Sequence, residues 1–132
     1  FIKEKIMELG MEYRIQSICY DRWNASQLVI DLTNDGVPME PFGQGFQSMA
    51  APSKQAESLI LSKQIVHDGN PVLKWMIANT VMEEDAASNI KPSKKRSSEK
   101  IDGVVSLIMS LGSYMTEGDI SSVYNDRGLL ML

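Results

Sequence analysis

Cysteine is nearly absent from this chain. Cys19 stands alone among 132 residues, so no internal disulfide can form, and a reducing compartment is the default. Histidine is equally scarce. His67 is the only one, and no set of cysteines and histidines has the spacing of a zinc site. No glycine-rich phosphate loop is present, so this chain is not itself a P-loop ATPase. No apolar run approaches the roughly 18–20 residues that span a bilayer. The N-terminus mixes charged and apolar residues, which does not make a signal peptide. Internal repeats and low-complexity tracts are also missing. Positive charge is in deficit: 13 lysines and arginines against 17 acids give a net charge of -4. That argues against coating nucleic acid by bulk electrostatics. It leaves room for a nuclease, whose acidic site holds metal ions and whose DNA contacts are local.

The composition, 43% hydrophobic and 23% charged, is that of a globular domain large enough to bury a core. The chain opens at Phe1 inside a helical pattern, without an initiator Met, as expected for a piece of a longer protein. Residues 1–11 place Ile2, Ile6 and Leu9 on one helical face, with Gly10 as the stop. Residues 13–20 are β-branched and aromatic and predict a buried strand ending at Asp21. A helix follows, capped by Asn24 or Ser26 and closed by Asn34-Asp35-Gly36. Val37 to Phe42, with two prolines, suits a strand at a sheet edge. Helices are expected over 49–64, with Pro52 near the start, and over 71–79, with Val72, Trp75 and Met76 inward. Short strands are expected at 65–67 and 80–82, then a polar loop over 83–89. A strong helix starts after Ser98, lines Ile101, Val104, Val105, Ile108 and Leu111 along one face, and stops at Gly112. Residues 1–115 thus form one α/β domain with a partly parallel, mixed sheet, and 116–132 a loosely held tail.

Two carboxylates are the candidates for chemistry. Asp21, in Tyr20-Asp21-Arg22-Trp23-Asn24, sits where a hydrophobic strand ends. Catalytic groups in open α/β sheets gather at the carboxyl ends of strands. The competing reading is that Asp21 starts a turn or caps the next helix. Asp102 lies in the first turn of the late helix, where the helix dipole favours an acid. Beside it, Gly103 is out of place in a helix start and leaves room for a close approach. The competing reading is an ordinary N-terminal acid with a packing glycine. Carboxylates from distant segments suit Mg²⁺, and a pair of such ions can hydrolyse a phosphodiester. Just before Asp102 runs a basic strip, Lys91, Lys94, Lys95, Arg96 and Lys100. It is either a phosphate-contacting surface or a solvated flexible loop. Glu83, Glu84 and Asp85 make an acidic loop, with Asp85 a distant third ligand. Cys19, Trp23, Trp75 and most of the nine methionines are expected in the core.

Four segments, in order, resemble the C-terminal half of tailed-phage large terminases: Tyr20-Asp21-Arg22-Trp23-Asn24-Ala25, Asn70-Pro71-Val72-Leu73-Lys74-Trp75-Met76, Asn89-Ile90-Lys91-Pro92-Ser93-Lys94, and Lys100 through Met109. The similarity covers roughly residues 1–112. It implies a ribonuclease H-like nuclease that cuts concatemeric duplex DNA, with three acids holding two Mg²⁺ or Mn²⁺ ions. Asp21 matches the family's second acid and Asp102 its third. The first acid, on the family's opening strand, would precede Phe1. The resemblance therefore implies a domain lacking its first strands and one ligand, inactive or nearly so alone. It also implies an upstream ATPase domain, a small terminase subunit and a portal protein as partners, no membrane, and the host cytoplasm as the location. The alternative is a non-catalytic DNA- or portal-binding module; another enzyme of the same fold, an exonuclease or recombinase, is a third.

Overall fold

The computed structural model describes residues 1–24 and 26–126, with side chains for all of these except 24 and 117–126. The architecture is mixed α/β, with five α-helices and two small sheets among the described residues. The chain divides into two compact units, one over Phe1–Gln44 and one from Gly45 onward.

The first unit is built on a strand–helix–strand crossover. Helix α1 (Ile2–Glu12) runs through Gly10, buries no residue, and is tied by Lys3 Nζ to Asp35 at 2.7 Å. Strand β1 (Ile18–Asp21) is shorter than its apolar run. It pairs in parallel with β2 (Met39–Phe42), in register Ile18 with Met39 through Asp21 with Phe42. Between them lies α2 (Gln27–Asn34), whose Leu32 is the buried anchor of this unit. Ser26 holds its N-cap position without a side-chain cap bond. Its end is a Schellman motif: Gly36 N–H donates to Thr33 and Val37 N–H to Leu32, with Gly36 at φ 83. A second parallel strand needs a crossover of this kind, because a tight turn can join only antiparallel neighbours.

The second unit is helical around one antiparallel hairpin. Helix α3 (Phe46–Leu61), with Gly45 at its N-cap, starts earlier than expected, so Pro52 lies inside it and forfeits one backbone bond. Pro52, Met49, Ser53 and Ala56 are nonetheless buried, and that face packs on α5. Helix α4 (Pro71–Asn79) has the expected bounds. Its inward face is Leu73 and Met76 rather than Val72 and Trp75, which are exposed. Residues 65–67 form no strand. Strand β3 (Met82–Glu84) shares Met82 with the strand expected at 80–82 and runs on into the expected polar loop, pairing with β4 (Ile90–Pro92), since Glu83 gains a cross-strand partner in Lys91.

Helix α5 spans Asp102–Asp126. Ser98 does not cap it, because its hydroxyl is directed to Asn79 Oδ1 at 3.3 Å. Ile101, Val104, Val105, Ile108 and Met109 are buried and form the main core. Gly112 does not end the helix. It is buried, and its carbonyl accepts the Thr116 hydroxyl at 3.0 Å. A mid-helix glycine costs about 1 kcal/mol relative to alanine, which the buried stripe around it outweighs. The position expected to begin the tail, 116, thus lies within α5, and residues 127–132 fall outside the described residues.

Candidate active site

Asp21 is the last residue of β1, at the carboxyl end of a parallel strand. One carboxylate oxygen, Oδ1, accepts the Trp23 amide at 3.1 Å and so opens the 3₁₀ turn Arg22–Asn24. The turn-forming role and the strand-end position therefore coexist. Trp23 is not a core residue: it is 80% exposed, with the Arg22 guanidinium 5.2 Å from its ring centroid. Cys19 is half-buried.

Asp102 is the first residue of α5, in the second unit. The Lys94 ammonium lies 2.8 Å from its Oδ1, and 61% of the Asp102 side chain stays exposed. The Lys94 hydrogen bond and charge, with Lys100 adding to them, hold its carboxyl below the usual aspartate range. The close approach foreseen at Gly103 is made by Met76 of α4. Its sulfur accepts the Gly103 N–H at 3.2 Å, and a β-carbon there would stand 2.8 Å from that sulfur.

The basic strip is not a loose loop. Lys91 pairs with Glu83 and lies 5.1 Å from the Phe46 ring centroid. Ser93, buried, donates its hydroxyl to Glu83 Oε2 at 2.9 Å. Ser97 donates its hydroxyl to the Ser93 carbonyl and accepts the Val81 amide at 3.0 Å. Lys91 and Ser93 together pull the Glu83 carboxyl below its usual range. Among the described residues, Lys95, Arg96 and Lys100 make no direct ion pair, and all three are exposed to solvent.

Asp85 closes its own turn. Oδ1 accepts the Ala87 and Asn89 amides, each at 2.9 Å, and Oδ2 accepts Asn89 Nδ2 at 3.0 Å. Those bonds, the Asn89 side chain first, lower its pKa. His67 is likewise engaged in a turn, its Nδ1 accepting the Gly69 amide at 2.9 Å. No group of three or more acids, histidines or cysteines able to hold a metal occurs among the described residues. In kind, the oxygens of Asp21 and Asp102 fit a hard divalent cation. No helix among the described residues is long and apolar enough to cross a membrane.

Residues 2–117 match the family model for the endonuclease domain of the terminase large subunit. The chain is 35% identical over 115 residues to the large terminase subunit of Enterobacteria phage HK97, covering 86% of this chain and 23% of that protein. It is also 35% identical over 97 residues to protein YmfN of Escherichia coli strain K12, covering 72% of this chain and 21% of that one. The crystal structure of the HK97 large terminase aligns with a TM-score of 0.78 over 86% of this chain and 24% of that chain. The chain thus spans less than a quarter of the length of each relative. The chain therefore belongs to the endonuclease-domain family of terminase large subunits.

Proposed function

We propose that this chain supplies two metal-binding carboxylates, Asp21 and Asp102, to a ribonuclease H-like endonuclease that cuts concatemeric duplex DNA during packaging. A bound Mg²⁺ or Mn²⁺ pair would supply an activated water and stabilise the leaving oxygen of the phosphodiester. The observation that carries the reading is Asp102. It is accessible, kept ionised, and set at a rigid helix start beside a strip of cations. Asp21 adds a carboxylate at a strand end. Lys95, Arg96 and Lys100 contact backbone phosphates without surrendering an acid partner, whereas Lys91 and Lys94 must exchange one. Duplex DNA, an ATPase domain, a small terminase subunit and a portal protein are the proposed partners, in the host cytoplasm. No third acid, histidine or cysteine joins them in a metal-binding group among the described residues, so the chain alone is expected to bind divalent metal weakly and cut poorly.

Manganese binding, followed by electron paramagnetic resonance, tests this directly. Asp21→Asn and Asp102→Asn should each weaken it, and unchanged binding in both would sink the metal-ligand assignment. A clear Mg²⁺-dependent cut by the 132-residue chain, abolished by Asp21→Ala, would refute the claim of weak activity. A second reading, a DNA- or portal-binding module without catalysis, is favoured by the structural bonds that both acids make, to Trp23 and to Lys94. Salt-dependent DNA binding that survives removal of both acids, with no metal uptake, would select it.

A further inference from the structure

Among the described residues, Lys94 is the cation of the basic strip that sits directly on a proposed metal ligand. Its ammonium lies 2.8 Å from Asp102 Oδ1, an oxygen that a divalent cation would also claim. Lys91 is placed differently. It pairs with Glu83, lies against the Phe46 ring, and is only 20% exposed. The Lys94–Asp102 pair is open to water, with 53% of the lysine side chain exposed.

The two partners are fixed by separate devices. Lys94 lies in a turn closed by the Ser97 amide, which donates to the Ser93 carbonyl at 3.0 Å, and Ser93 itself is buried. Asp102 follows the buried Ile101, whose carbonyl accepts the Val104 and Val105 amides, each at 3.0 Å. The backbone is therefore held at both residues. The lysine side chain is not: it is a flexible four-carbon stem ending in a compact charge. Lys94 can turn about a fixed backbone position while nothing else moves.

Magnitude decides how easily it turns. An exposed ion pair is worth at most about a fivefold preference for the paired state. A divalent cation or a phosphate can break such a pair. In the other direction, an ammonium on Oδ1 occupies an acceptor and repels a second cation. Freed from the carboxylate, it is a point charge suited to phosphate.

We propose that Lys94 is a positioning residue with two stations: it neutralises Asp102 in the metal-free chain and moves to a DNA backbone phosphate when a divalent cation occupies that carboxylate. The inference rests on the reading of Asp102 as a metal ligand. Linkage makes the coupling reciprocal, so DNA that takes up Lys94 leaves Asp102 a better ligand.

Manganese titration of the 132-residue chain without DNA, read by electron paramagnetic resonance, tests the first station. Lys94→Gln should tighten binding about three- to fivefold. Lys94→Arg, which restores a cation, should leave it near the unsubstituted value. A residue that merely shapes the site would weaken binding when changed. The second station is read by fluorescence anisotropy of a labelled short duplex in EDTA. Asp102→Asn releases Lys94 there, and should tighten DNA binding about threefold more in the unsubstituted chain than in Lys94→Gln. Additive effects would overturn the proposal, as would manganese binding that Lys94→Gln weakens or leaves alone. If Asp102→Asn does not change manganese binding, the ligand assignment falls and the Lys94 role with it. If Asp102→Asn weakens it and Lys94→Gln fails to tighten it, the assignment stands and only the Lys94 role is lost.

Discussion

At residue 103 one atom decides the outcome of a substitution. A β-carbon would meet Met76 Sδ at 2.8 Å, so that side chain must swing aside and give up its bond to the residue 103 amide. Gly103→Ala also gains helix propensity, up to about 1 kcal/mol. The displaced sulfur is expected to outweigh that gain, making Gly103→Ala destabilising by roughly 0.5–1 kcal/mol in urea unfolding. In a Met76→Ala background the same change should become neutral or stabilising. Additive effects in that double-mutant cycle would refute the account. The sequence alone signalled a close approach at Gly103, because a glycine there defies local preference. It did not signal methionine as the neighbour, since α4 and α5 meet only in three dimensions. Asp85 was illegible for a similar reason: an acid in an acidic loop looks solvated until its turn closes around it.

Elements were legible where their signals were local. Asn70 caps α4, its Oδ1 accepting the Val72 amide at 2.9 Å and the Leu73 amide at 3.2 Å, with Pro71 in the first turn. Asn70→Ala should cost about 1 kcal/mol by urea unfolding, and Asn70→Asp very little. Equal losses for the two would mean that the cap bonds contribute nothing. β3 was placed two residues too early, at 80–82, because Glu83 and Glu84 carry no β propensity, and the β3–β4 hairpin was not foreseen. Its pairing rests on Lys91 and Ser93, ten residues or fewer away but invisible to a periodicity scan. The start of α5 was placed too early because Ser98, a good cap by type, is drawn instead to Asn79.

Across the molecule, the shifted groups fall unevenly. Glu83, Asp85 and Asp102, all lowered, lie in the second unit, and Lys3, raised by Asp35, lies in the first. A lowered acid binds its proton more weakly folded than unfolded. Its stabilisation is therefore present above the ordinary carboxylate value of about 4 and is lost as pH falls through the folded value. A raised lysine stabilises below the ordinary value of about 10.5 and loses that contribution as pH climbs through the folded one. Falling pH should accordingly remove a modest stabilisation of the second unit at Glu83, Asp85 and Asp102, and strong alkali one of the first unit at Lys3. Amide exchange measured residue by residue checks this, and a uniform response across both units at low pH would contradict it.

Ser93, Ser97 and Ile101 pin the basic strip at every fourth residue, two by hydrogen bonds and the last by burial. Lys94, Lys95, Arg96 and Lys100 project from a backbone already fixed between those pins. Ordering a free segment on binding would cost about 1–2 kcal/mol of backbone entropy per residue. Here the chain has met that cost in folding, and a ligand of the strip would have only long side chains left to still. The spacing of cations along the strip is then a property of the folded protein and not of what it meets.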